Sequence, residues 1–253
     1  MTDQPQKVDV CVPALQKPSS TFEEMLKREI PVHDIIISYA KPLGTARQEL
    51  IERVNTDWFC FVDLDIELLP GWWKKMNAMV DSQTGGIEGM WSYTIEPEVD
   101  AYTDAMRDLA HMLGKKTAIE RLARAFTGDL LIRTESVRGI TIPPVPVWED
   151  EFIRRYIVSR GFTWKMVKEV VCLHHRKLNV GQAWDAGYYS HKLGMMSAEQ
   201  AVRNLVTIIP KSLYAVAKTG MWKIIPMQVR REVLTSLGCL TAWTKRDSYK
   251  GEA

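Results

Sequence analysis

The sequence is short of cysteine. It has four in 253 residues, Cys11, Cys60, Cys172 and Cys239, scattered and without paired or metal-type spacing. That excludes a disulfide framework and a cysteine-based zinc site. Cys11, Cys60 and Cys172 each sit in an apolar run that reads as a strand, so buried, reduced thiols are expected. Long apolar stretches are missing too. No uncharged run approaches the roughly 20 residues that span a bilayer. The N-terminal "MTDQPQKVDVCVPAL" has no basic region followed by a long apolar core, so no signal peptide is read and a cytoplasmic location is expected. Glycine is absent from "PALQKPSS", after the first apolar strand, which leaves no Gly-rich phosphate loop there. No internal repeat or low-complexity tract is found.

What is there suits one large domain, or one domain with an appendage. Hydrophobic residues make up 46% and charged residues 25%, enough for a sizeable core without staples. The net charge of +2 hides an asymmetry. Residues 1–175 carry 21 Lys+Arg against 26 Asp+Glu, and residues 176–253 carry 12 against 5. The patterning predicts strands at 7–15, 33–40 and 57–63, with helices at 19–30 and 45–55 between them. Strand-helix-strand alternation at this spacing signals right-handed βαβ units and a parallel sheet. Further strands are predicted at 85–95 and 163–175, and 125–140 reads as a strand followed by a short helix. Helices are predicted within 97–125, at 147–162, and over 176–250 with breaks near Gly194, Pro210, Gly220 and Pro226.

The stretch "DWFCFVDLDIELLPGWW", residues 57–73, ends the most hydrophobic strand in two carboxylates, Asp63 and Asp65. Strand side chains alternate, so the two are expected to face the same way. In open parallel sheets ligands collect at the C-terminal strand edge. A carboxylate pair there suits Mg²⁺ or Mn²⁺ held together with phosphate oxygens. The competing reading is an ordinary strand-to-turn junction.

The segment "TARQELIERVNTDWFCFVDLDIELLPGWW" resembles the family 2 glycosyltransferases of the GT-A fold. It carries Ala46-Arg47-Gln48, Asp63-Leu64-Asp65 and Pro70-Gly71-Trp72 in that family's order. "TGDLLIRTESVRGI" is similar to the family's acceptor-side strand and helix, "WEDEFIRRYIVSRGFTW" to its Glu-Asp helix, and "EVVCLHH" to the strand with its late histidine. The resemblance covers residues 7–175. It implies an α/β, GT-A (Rossmann-like), mostly parallel sheet flanked by helices. Residues 1–175 would form the nucleotide-sugar-binding and catalytic domain, and 176–253 a basic, amphipathic helical extension.

The resemblance also implies roles. Asp65 would coordinate Mn²⁺ or Mg²⁺; Asp63 would hold the ribose or a metal-bound water. His174 or His175 would be a further metal ligand or diphosphate contact. Neighbours on a strand point to opposite faces, so only one can enter the site, with His174 favoured. Pro13 and Ala14, Tyr39, Leu64 and Asp129 fall on the donor side, Asp129 with a turn role as its alternative. Arg47 and Lys41 could touch the diphosphate. The alternatives are an Arg47–Asp63 ion pair and a solvated Lys41. Glu149 and Asp150 match the base-bearing pair, with Asp150 as general base and inversion at the anomeric centre, although carboxylates also suit a helix N-terminus structurally. Two departures stand out. The first strand ends Pro13-Ala14-Leu15, where the family has Pro-Thr, and the second ends Ser38-Tyr39, where it has Asp-Asp. Tyr39 could stack on a base instead.

The basic tail has two readings. Its helices either pack their apolar stripes inward, or lie on an anionic membrane surface, which would suit a lipid-linked acceptor such as a polyprenyl phosphate. Nucleic acid is disfavoured, because no recognisable module is present. The leading function is therefore a metal-dependent transfer from a nucleotide-diphosphate sugar. The alternatives are a sugar-nucleotide nucleotidyltransferase and a non-catalytic membrane-surface module. Oligomeric state is not legible.

Overall fold

The computed structural model describes residues 6–116, 125, 128–175 and 180–245. Seven strands form one sheet: β1 (Val8–Pro13), β2 (Val32–Ser38), β3 (Trp58–Val62), β4 (Ile66–Leu68), β5 (Thr84–Tyr93), β6 (Asp129–Arg133) and β7 (Thr163–His174). Their order is β2-β1-β3-β6-β5-β7-β4. β1 is parallel to β2 and β3, and β5 is parallel to β7, while β6 and β4 run antiparallel to their neighbours. Five of seven strands thus point one way, as expected from the βαβ pattern.

The alternation in β3 divides the core. Trp58, Cys60 and Val62 join Phe22, Met25 and Leu26 of helix α1 (Ser20–Glu29) and Trp72 and Met76 of α3 (Trp72–Asn77) on one face. Phe59 and Phe61 join Leu50 of α2 (Leu43–Glu52) and Ile153 and Ile157 of α5 (Glu149–Ser159) on the other. All five β3 residues are buried, which is why this strand reads as an unbroken apolar run. Ser19 caps α1 by accepting the Phe22 N–H at 3.2 Å, as its Ser/Thr signal predicts. Cys11, Cys60, Cys172 and Cys239 are buried and free.

Chain contacts divide the molecule into two units, the sheet with its helices and a helical unit. The second unit holds α4 (Pro97–Met112), α6 (Val180–Lys192), α7 (Ala198–Thr219) and α8 (Ile224–Thr244). α4 precedes residue 175, yet belongs here because Ala101, Tyr102, Ala105 and Met106 pack with Ala215, Val216 and Ile224. A boundary drawn at 175/176 misses this insertion between β5 and β6. α6 and α8 approach closely through paired glycines. A Cβ on Gly187 would strike the Thr235 backbone, and one on Gly238 the Trp184 backbone. The expected breaks at Gly194 and Gly220 occur, both with left-handed φ. Pro210 does not break its helix; it lies inside α7, where it removes one internal hydrogen bond. No described helix is long and apolar enough to cross a membrane.

Candidate active site

Asp63 and Asp65 lie just beyond β3, in a tight turn rather than in the strand. The Ile66 N–H donates to the Asp63 carbonyl at 3.1 Å, and the Asp63 N–H to the Gly128 carbonyl at 3.0 Å. Turn geometry, not strand alternation, brings the two carboxylates close enough for Asp65 to act on Asp63 electrostatically. Immediately after the turn, β4 pairs antiparallel with β7, setting Ile66 opposite His174. The His175 N–H closes the ladder onto the Asp65 carbonyl at 2.8 Å. This short pairing, not anticipated from the sequence, places His174 Nε2 3.2 Å from Asp65 Oδ2.

The His174 ring is held by aromatics the sequence reading did not single out. Tyr93, its register partner across β5 and β7, stacks on it with centroids 5.1 Å apart. Trp91 meets it edge-on at 6.3 Å. Their signal was available in the alternation of "MWSYT", but not their target. His174 Nδ1 is buried and has no hydrogen-bond partner among the described residues. His175 behaves differently. Its Nε2 lies 2.7 Å from Glu67 and its Nδ1 2.9 Å from the Thr94 hydroxyl. Both ring nitrogens are engaged away from Asp65, so His175 does not join the carboxylate pair.

Arg47 links this turn to the Glu-Asp helix. It is fully buried in α2. Its Nη2 donates to Asp63 at 3.1 Å and its Nε to Glu149 at 3.0 Å, and its guanidinium lies 4.5 Å from the Phe61 ring centroid. Burial opposes the charge, but Asp63 and Glu149 outweigh it and push the Arg47 pKa up. The expected Arg47–Asp63 ion pair is observed, and Arg47 Nη1 is left without a hydrogen-bond partner among the described residues. α2 reaches this depth because Gly44 lets the backbone touch residues 143–145. Its N–H donates to the Val145 carbonyl at 2.9 Å, and a Cβ there would strike the Pro143 carbonyl. Gln48 secures the same loop by accepting from the Ile142 N–H at 2.9 Å.

Glu149 is buried and Asp150 only partly so. Trp148, with φ of 70°, turns the chain into α5, a conformation that costs a non-glycine residue about 1–3 kcal/mol. Asp150 Oδ1 accepts the Glu151 N–H at 2.7 Å, and its charge reaches Arg47. Burial pushes the Glu149 carboxyl up, opposed by Arg47. Burial likewise lifts Asp63 to about 6, opposed by Arg47 and His174 and aided by repulsion from Asp65.

The remaining candidates separate. Asp129 is not available to a donor. It begins β6 fully buried, and its Oδ2 accepts the Trp72 indole N–H at 2.7 Å. Burial pushes its carboxyl up to about 7, partly offset by that indole and by Cys172. Pro13 ends β1, and the Ala14 N–H bonds the Ser38 carbonyl at 2.9 Å. Tyr39 and Lys41 are exposed beyond β2, and Leu64 is partly buried between the two aspartates.

Among the described residues, no three His, Cys, Asp or Glu side chains form a ready-made metal cage. The Asp65–His174 pair nevertheless has the spacing of two ligands on one divalent ion, with a mixed oxygen and nitrogen set. Two ligands at right angles on an ion, each about 2.1 Å away, lie about 3 Å apart. Such a pair leaves most positions to water and phosphate oxygens, the usual Mg²⁺ arrangement.

No protein-family model and no curated protein matches the chain. Solved structures do. A mannosyltransferase of Pyrobaculum calidifontis, solved with GDP-Man and Mn²⁺, aligns with TM-score 0.61 at 11% identity, over 97% of this chain and 89% of its own. Glucosyl-3-phosphoglycerate synthase of Mycobacterium tuberculosis, solved with Mn²⁺, UDP-Glc and glycerol 3-phosphate, aligns with TM-score 0.51 at 10% identity, over 74% and 79%. At such identities the likeness is one of architecture: this chain has the GT-A fold of these glycosyltransferases.

Proposed function

We propose that the chain is a metal-dependent, inverting glycosyltransferase, moving a sugar from a nucleotide-diphosphate donor to an acceptor hydroxyl or lipid phosphate. The observation that carries this reading is the Asp65–His174 pair, 3.2 Å apart, beside Asp63 and tied through Arg47 to the Glu149-Asp150 helix. The neighbours solved with nucleotide sugars and Mn²⁺ support it.

In this reading Asp65 and His174 hold Mn²⁺ or Mg²⁺. The bound ion would supply positive charge where the leaving diphosphate gains negative charge. Tyr93 and Trp91 fix the imidazole, and Asp63, oriented by Arg47, holds the ribose or an ion-bound water. Pro13, Ala14, Tyr39, Lys41 and Leu64 line the donor side, with exposed Tyr39 offering a face for the base. With a hydroxyl acceptor Asp150 takes its proton, and the partial exposure of Asp150 leaves it reachable. Buried Glu149 positions it by anchoring the first turn of α5 to Arg47. A lipid phosphate acceptor places the reaction at the cytoplasmic face of a membrane.

Calorimetry with UDP and GDP, with and without Mn²⁺, tests the proposal. Metal-dependent binding of one of them, lost in Asp65→Ala, is the expected result. Absence of nucleotide binding with Mn²⁺ present would reduce the chain to a non-catalytic module.

A further inference from the structure

The rim where β1 and β2 end carries a carboxylate outside the metal turn. Glu49 is exposed on α2, on the face turned to β2. Its Oε2 accepts the Ser38 hydroxyl at 2.6 Å. Arg53, one turn further along the same face, donates from Nη1 to the Ile37 carbonyl at 2.9 Å. The buried Ser38 hydroxyl also accepts the Ala40 N–H at 3.2 Å. One carboxylate oxygen is thus tied to the end of β2, while Oε1 has no hydrogen-bond partner among the described residues. Apolar surface is exposed beside it. Pro13 and Ser38 are register partners at the ends of the two strands, and the Ala14 N–H bonds the Ser38 carbonyl at 2.9 Å. Leu15 and Tyr39 therefore leave neighbouring strands close together, 82% and 52% exposed.

We propose that Glu49 reads the donor base and restricts the donor to uracil or guanine nucleotides. The inference rests on the glycosyltransferase reading and names the specificity of its donor site. Tyr39 and Leu15 would offer apolar contact to the base ring, and Glu49 Oε1 would accept its imino N–H. Uracil N3 and guanine N1 carry that hydrogen. Adenine N1 and cytosine N3 present a lone pair there instead. An ionised carboxylate only accepts, so it attracts the first pair of bases and repels the second. A site that hydrogen-bonds a substrate N–H rejects analogues lacking it far more strongly than a fit by size does. The Ser38 bond adds to this by ordering a long side chain in advance, so less rotamer freedom is lost on binding. A Glu49 that merely ties α2 to β2 would leave nucleotide affinity indifferent to the base.

The test is calorimetry of the full chain at saturating Mn²⁺ with UDP, GDP, ADP and CDP, and with the favoured nucleotide methylated at its imino nitrogen. Wild type should bind UDP or GDP at least ~10-fold more tightly than ADP and CDP, and methylation should cost at least ~10-fold, the scale of one charge-assisted hydrogen bond. Glu49→Ala should bind the methylated and unmethylated forms nearly equally. Glu49→Gln, which keeps an acceptor for the Ser38 hydroxyl, should fall between the two at the wild-type melting temperature. The proposal is overturned if wild type binds ADP or CDP as tightly as UDP and GDP, if methylation costs wild type nothing, or if Glu49→Ala still rejects the methylated base; in each case the glycosyltransferase reading stands. Wild type that binds none of the four nucleotides with Mn²⁺ would overturn that reading, and this inference with it.

Discussion

Replacing Arg47 with methionine tests the link between the carboxylate turn and the Glu-Asp helix. Methionine preserves most of the packing on Phe61 while removing the cation that faces both Asp63 and Glu149. Breaking a buried ion pair from one side costs about 3–5 kcal/mol, because the partner is left charged without compensation. Glu149, almost fully buried, should suffer most. In a domain of this size each kcal/mol lowers the melting temperature by roughly 2–4 °C, so a drop of roughly 10 °C is expected. Its pH dependence follows from linkage. Arg47 opposes the upward shifts of Asp63 and Glu149, so without it both folded-state pKa values rise further. The unfolded chain ionises these groups near pH 4. The penalty for Arg47→Met should therefore be small at pH 5 and grow toward pH 8, where protonating the stranded carboxyls is itself unfavourable. Adding Glu149→Gln should recover much of the loss, since a neutral amide needs no counter-ion. Thermal melts of wild type, both single variants and the double variant at pH 5 to 8 are the assay. A deficit below about 1 kcal/mol, or one flat across that range, would refute the buried-pair argument.

Other outcomes follow from the same geometry. Asp150→Asn should leave donor affinity nearly unchanged while turnover falls at least ~100-fold, the scale of a lost general base; single-turnover product release checks this, and near-normal turnover would move the base elsewhere. His174→Ala should weaken Mn²⁺-dependent nucleotide binding as Asp65→Ala does, while His175→Ala should spare it, as calorimetry can read. Asp129, with its carboxyl raised to about 7, favours the protonated folded state. Its stabilising contribution is full below pH 4 and is lost as pH rises through 7, by up to about 1.4 kcal/mol per unit. Asp129→Asn should thus gain stability relative to wild type as pH rises from 4 to 7, and denaturant melts showing a constant difference would contradict the buried-acid assignment.

Much of the sheet was legible because burial on both faces makes continuous apolar runs. "WFCFV" reads as a central strand for that reason, and β1, β2 and β7 are recognisable by their β-branched residues. The carboxylate turn and the late histidine were legible as motifs in chain order. Their convergence was not. It depends on β4, three residues long with an exposed Glu67, too short to show a period. The Arg47–Glu149 contact spans 102 positions, and nothing local in either segment announces the other. Asp129 failed as a donor residue because the chain reads it beside Gly128 as a turn, whereas Trp72 seals it into β6. Pro210 was overridden by tertiary packing of α7, whose buried residues continue on both sides of it. α4 changed units because its apolar positions match a surface of α7 and α8, which helical periodicity alone does not name.

The central claim is that Asp65 and His174 together grip a divalent cation beside a nucleotide diphosphate. Anomalous diffraction from crystals soaked with Mn²⁺ and the nucleotide selected by calorimetry tests it directly. A single peak about 2.1 Å from Asp65 Oδ2 and from His174 Nε2, touching diphosphate oxygens, is the predicted result. Nucleotide bound with manganese absent from that position, or manganese held by His175 and Glu67 instead, would contradict it.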